Sequence, residues 1–216
     1  MKRLCWTGLC VVALLGCGPA TPEQVQVTTP SPPKLREKPD FEETRLGILM
    51  SPDDPRKLKV GDSGDDSLRL FPASSGARTV NELPAAIGSP YRVKGWEDKA
   101  GGFAAILYDG RVALAMRKTT TDESDLERTL EAYAKDLGPA LVVGAPPSRV
   151  DYWFWEEEGH RLMLNVLRTR DGATMLTEAV GTQAIMNSIG ADATSARRQR
   201  AQAEAEVRKQ IGAPHK

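Results

Sequence analysis

Hydrophobic positions along this chain fall mostly into short alternating runs separated by turn residues, with one stretch at helical period. Arg45–Ser51 (RLGILMS) predicts a strand. Between Tyr91 and Lys118, the runs FAAILY and RVALAM flank Asp109-Gly110, a two-residue hairpin signal. Val112, Leu114 and Met116 alternate with Ala113 and Ala115, which predicts one bulky and one small face. Ser124 followed by Glu127 reads as a capping box. Leu126, Leu130, Tyr133, Ala134 and Leu137 then recur at helical spacing until Gly138-Pro139 stops the helix. Arg149–Gly181 supplies three more strand-like runs, VDYWFWEE, HRLMLNVLRT and ATMLTEAVG, separated by Glu158-Gly159 and Asp171-Gly172.

A second helix start lies in V-G-D-S-G-D-D, residues 60–66. Ser63 or Asp62 caps, Asp65 and Asp66 favour the positive end of the helix dipole, and Pro72 ends the segment after Leu68, Leu70 and Phe71. The layout then reads twice as helix, Gly-x-Pro element and three-stranded meander. Ile87-Gly88-Ser89-Pro90 answers Val143-Gly144-Ala145-Pro146, and Trp96 answers Trp153. The expected fold class is α+β, with two similar helix-plus-antiparallel-meander units in tandem over 41–120 and 121–190. The echoes are short, and two unrelated meanders would read the same. Residues 17–40 are rich in Pro and Thr and predict a flexible tether. Residues 191–216, rich in Ala, Arg, Glu and Gln, predict a charged helical tail.

The first residues add a destination. Lys2 and Arg3 precede an apolar stretch, Leu9–Leu15, too short to span a bilayer, and the sequence continues Leu14-Leu15-Gly16-Cys17. This run resembles the lipobox of bacterial lipoproteins. The resemblance implies a signal peptide over 1–16 and a lipid, palmitate included, on Cys17. Gly18, where inner-membrane retention uses aspartate, implies an outer-membrane anchor facing the periplasm. In a single-membrane bacterium the same anchor implies the outer face of the plasma membrane.

Composition narrows the chemistry. The chain has 29 basic and 29 acidic side chains, and removing Lys2 and Arg3 tips the balance slightly acidic, which gives no electrostatic case for nucleic acid. All three cysteines (Cys5, Cys10, Cys17) lie in the leader region, so the rest of the chain holds no disulfide and no thiolate metal site. No metal and no cofactor are expected. Gly61-Asp62-Ser63-Gly64 is worded like a nucleophile motif, yet the two histidines, His160 and His215, both follow it. His160 beside Gly159 is expected to face solvent at a hairpin turn. Asp62, Asp65 and Asp66 lack the EF-hand register, and Glu156-Glu157-Glu158 reads as a solvated turn.

One feature rises above this background: Tyr152-Trp153-Phe154-Trp155. On a strand, Tyr152 and Phe154 face one side while Trp153 and Trp155 face the other. Together with Trp96 they form the candidate partner-binding set, because Trp and Tyr dominate interface hot spots. The competing reading is core packing against the 124–137 helix. In outline, residues 60–181 resemble the small outer-membrane lipoproteins of the BamE type and the two-unit architecture of β-lactamase inhibitor proteins. That resemblance implies protein–protein binding in the envelope. The leading expectation is a non-enzymatic, lipid-anchored envelope protein with a protein partner. A binder of small ligands or cell-wall glycan comes second, and a serine hydrolase using Ser63 comes last.

Overall fold

A computed structural model describes residues 34–143, 149–170, 172–191 and, in the tail, residues 194, 201, 202 and 205. The expected signal peptide, Cys17, the tether up to residue 33, the Gly144-Ala145-Pro146 echo and most of the charged tail lie outside the described residues. The four described tail residues are helical and exposed.

The chain is mostly β. A two-stranded sheet, β1 (Ile48–Ser51) with β2 (Asp54–Leu58), precedes the short helix α1 (Gly64–Leu70). β3 (Arg78–Thr79), β4 (Arg92–Glu97), β5 (Gly101–Tyr108) and β6 (Arg111–Thr121) follow, then α2 (Glu123–Leu137). β7 (Leu141–Val143), β8 (Val150–Glu157), β9 (His160–Arg168) and β10 (Thr174–Thr182) close the set, and a helix α3 runs over 183–191. β3 to β10 form one antiparallel eight-stranded sheet in the order β3-β4-β5-β6-β10-β9-β8-β7.

This corrects the expectation of two helix-plus-meander units. Both meanders exist, but β10 pairs with β6 from Thr174↔Thr121 to Gly181↔Leu114, which fuses them into one sheet. The supposed first unit also lacks a helix able to cover a meander. α1 has only seven residues before the C-cap Phe71, and the β1–β2 hairpin packs beside it instead.

The turn chemistry agrees with the backbone. Asp109 and Gly110 both have positive φ, 51° and 75°, the primed turn whose twist suits a hairpin. Just beyond it, Leu107 pairs with Val112 while Ile106 pairs with Leu114, so Ala113 is an extra, bulged residue. The expected bulky face of Val112, Leu114 and Met116 is therefore split. Val112 turns to one side of the sheet, Leu114 and Met116 to the other. The first strand is shorter than expected and begins at Ile48.

The sheet has an inner and an outer face. α1, α2 and the β1–β2 hairpin cover the inner face over Phe71, Phe103, Leu126, Tyr133, Trp155, Leu162, Leu164 and Val166. A smaller cluster on the outer face packs Ile87, Tyr91 and Ile185 against Ile106 and Leu114. It is joined by Leu35, whose backbone bridges to Ile87, so ordered packing starts inside the expected tether.

α1 and α2 are each capped at the N-terminus by a side chain. Ser63 Oγ accepts from Asp65 N at 3.3 Å, as expected. α2 starts two residues earlier than its capping-box reading requires. Asp122 is the cap, accepting from Asp125 N at 2.8 Å.

Candidate functional site

Alternation along β8 distributes the aromatic run. Trp155 is 6% exposed, tilts against Tyr133 at 5.6 Å between ring centroids, and donates its Nε1–H to Gly138 O at 2.9 Å. Trp153 packs partly buried against the same inner cluster. Trp96 also joins it and donates to Phe71 O at 2.9 Å. All three tryptophans of the candidate set therefore seal the inner face. Their indole N–H groups explain part of the choice: each of Trp96 and Trp155 satisfies a carbonyl at a helix end while its rings fill the core.

Tyr152 and Phe154 point the other way. Their rings stack at 6.0 Å with an interplanar angle of 7°, and both are half-buried. The Arg161 guanidinium lies 5.8 Å from the Phe154 ring centroid and pairs with Glu156 at 2.5 Å. Neither Tyr152 nor Phe154, nor Met163, Leu167 and Met175 beside them, belongs to either apolar cluster. Read across the strands, one row on this face runs Leu141, Phe154, Met163, Ala179, Met116, Ala104 and Gly95, without a charge in seven strands. The next runs Val143, Tyr152, Asn165, Thr177 and Lys118, turning polar toward the sheet centre. Methionine suits such a surface because its unbranched, polarisable side chain can repack against different shapes.

The row ends at the edge strand β7, which sequence reasoning missed. Leu141, Val142 and Val143 are 66%, 43% and 52% exposed, the exposed large hydrophobics among the described residues. Their signal in the sequence was a short apolar run set between Pro139 and Pro146, since proline tolerates the ends and edges of sheets rather than their centres. At one end of β7, a shallow cleft of about 260 Å³ is lined by Arg45, Leu46, Leu137, Pro139, Leu141, Phe154, Trp155 and Glu156. A larger cleft of about 1030 Å³ lies by the β5–β6 turn among Tyr91, Arg92, Lys94 and Tyr108.

The remaining candidate residues are engaged in structure. Asp62 accepts from Lys59 N at 2.8 Å, Asp65 pairs with Lys94 and Asp66 with Arg69. Among the described residues, no three His, Cys, Asp or Glu side chains are grouped to hold a metal ion. Glu157 accepts from Thr44 Oγ1 at 2.8 Å, Arg45 N at 2.7 Å and Arg45 Nε at 2.9 Å. The Arg45 and Thr44 hydrogen bonds hold its carboxyl at about 2, well below the usual range. His160 departs from expectation. It is buried, 1% exposed, with Nε2 3.4 Å from Asp40 O, because the 34–46 strap lies over its hairpin.

The inner face also carries a buried polar network without an obvious sequence signal. Glu178, fully buried, accepts from Tyr133 OH at 2.7 Å and from Arg117 Nε at 2.6 Å, and Arg117 Nη1 reaches Met50 O at 2.7 Å. Tyr133 OH accepts from Leu49 N at 3.0 Å. Burial, then the adjacent Glu178 carboxylate, pushes the Tyr133 phenol well above its usual range. Every member has a partner, so the network ties β1, β6, β10 and α2 together.

Compared with known proteins, the chain matches no family model, no curated sequence and no solved structure. Among the described residues, no helix is long and apolar enough to cross a membrane.

Proposed function

We propose that this chain is a lipid-anchored, non-enzymatic envelope protein that binds another protein through the outer face of its sheet. Tyr152 and Phe154 form the centre of that surface. The observation that carries the reading is the uncharged outer-face stretch Leu141, Phe154 and Met163, which joins the exposed β7 edge to the stacked aromatic pair and lies outside both apolar clusters. A monomeric protein normally keeps such a surface small unless something docks on it. Aromatic rings flanked by an arginine and methionines supply hot-spot chemistry and adaptable packing. Trp153, Trp155 and Trp96 are left out of this surface because their rings belong to the inner core.

The lipobox resemblance at Leu14–Cys17 supports the anchor, and Gly18 supports the periplasmic face of the outer membrane. Ser63 supports the non-catalytic reading through its role as a helix cap.

Two experiments test these parts separately. Cys17→Ala is expected to leave the precursor unprocessed or release the protein from membranes; normal maturation and membrane fractionation would sink the anchor. Capture from detergent-solubilised envelope is expected to yield a partner with the wild-type chain and to lose it with Tyr152→Ala/Phe154→Ala. Equal capture by both would remove the outer face from the binding surface. Loss of capture on adding soluble cell-wall glycan would identify a glycan as the ligand instead.

A further inference from the structure

The two edges of the eight-stranded sheet differ in a way that bears on assembly. At one end β3 is two residues long, Arg78 and Thr79, and the Arg78 guanidinium pairs with Glu97 of the neighbouring strand. A short, charged edge resists the addition of another strand. At the other end β7 presents Leu141, Val142 and Val143, with no charge and no bulge, and pairs along one side with β8. The exposed large hydrophobics among the described residues are these three consecutive edge positions.

We infer that β7 pairs antiparallel with β7 of a second copy, making a two-fold homodimer with a continuous sheet. The strand is suited to itself. A two-fold axis at Val142 sets Val142 opposite its own copy and Leu141 opposite the second copy's Val143, so apolar meets apolar at every position and no like charges are opposed. Leu141 and Val143 share the outer face with Phe154 and Tyr152, their partners on β8. The pairing therefore joins the two aromatic stacks into one floor across the dimer, while the exposed backbone edge gains a ladder. Because β3 is guarded, the assembly closes at two copies and does not grow into a fibre.

The inference does not rest on the outer-face partner. Tyr152→Ala is expected to keep the dimer even where it loses that partner, so the two readings fail separately.

The test uses the full chain carrying Val142→Cys. Opposite residues of an antiparallel pair lie about 4.5–5.5 Å apart at Cα, within reach of a disulfide. Mild oxidation is expected to give a 142–142 link between two copies, identified by mass spectrometry of the linked peptide. Thr79→Cys on β3 is expected to give none. In sedimentation equilibrium, Val142→Lys is expected to raise the dimer dissociation constant at least about tenfold, and at concentrations below the wild-type dissociation constant the two chains are expected to share one urea midpoint. The inference is overturned if Val142→Cys links to Cys5, Cys10 or Cys17, to a different protein, or to nothing. It is equally overturned if the wild-type chain sediments as a monomer, or if Val142→Lys dimerises like the wild type.

Discussion

Neighbouring residues of one strand have opposite fates in this protein. Trp153 and Trp155 of β8 turn into a face closed by two helices and a hairpin, whereas Tyr152 and Phe154 turn onto a face that, among the described residues, α3 and the 34–41 strap cover toward β4–β6. The sequence presents the four as one aromatic block. The structure divides them by the two-residue period of the strand and then by what packs above each face. Aromatic content alone therefore says little about binding. A large ring becomes a candidate contact only where no helix or strand seals it.

That contrast can be broken from the inner side. Arg117→Met leaves the fully buried Glu178 without its cation and is expected to cost about 3–5 kcal/mol in urea unfolding. Replacing Glu178 with Leu as well should recover much of the loss. A single variant as stable as the wild type would show that the carboxylate is not sealed.

The strand itself offers a paired comparison. Trp155→Ala is expected to lower stability by about 3–5 kcal/mol, and Phe154→Ala on the same strand by about 1 kcal/mol or less, as for a half-exposed position. Similar losses at the two positions would mean that both faces are closed.

Ser63→Ala removes the α1 cap and is expected to cost about 1 kcal/mol, with no effect on capture of an envelope partner. A folded Ser63→Ala variant that abolishes a measured hydrolysis would return that serine to catalysis.

The smallest effect is expected at the Glu157 clasp, which is partly exposed. Its carboxyl titrates at about 2 when folded, against 4.5 when free. Its contribution is therefore complete above the free value and lost as pH falls toward 2. Glu157→Gln should flatten the acid limb of the stability–pH curve. An unchanged limb would place the acid sensitivity elsewhere.

Much of the strand content was legible in the sequence. The three runs between Arg149 and Gly181 became β8, β9 and β10, and Asp109-Gly110 made its hairpin, because local alternation and turn residues act over a few positions. β2, β3 and β7 were not legible. They are short, and their pairing comes from a neighbour rather than from their own pattern. The Tyr152/Trp153 alternation was readable. That the tryptophans are the buried half was not, since burial depends on α2 crossing one face.

The sequence by itself determined the long strands on either side of its Asp-Gly and Glu-Gly turns, that a helix is capped at Ser63, and the lipobox-like run ending at Cys17. Each of these is a local choice among backbone conformations or a contiguous motif. Only the tertiary structure decided that two meanders fuse through β6 and β10 into one sheet. It also decided that Ala113 bulges to send Val112 and Leu114 to opposite faces, and that His160 is buried beneath the 34–46 strap. Those outcomes depend on pairing between residues far apart in the chain. Strand alternation states that a side chain has a face, but only the packed neighbours state whether that face meets the core or the solvent.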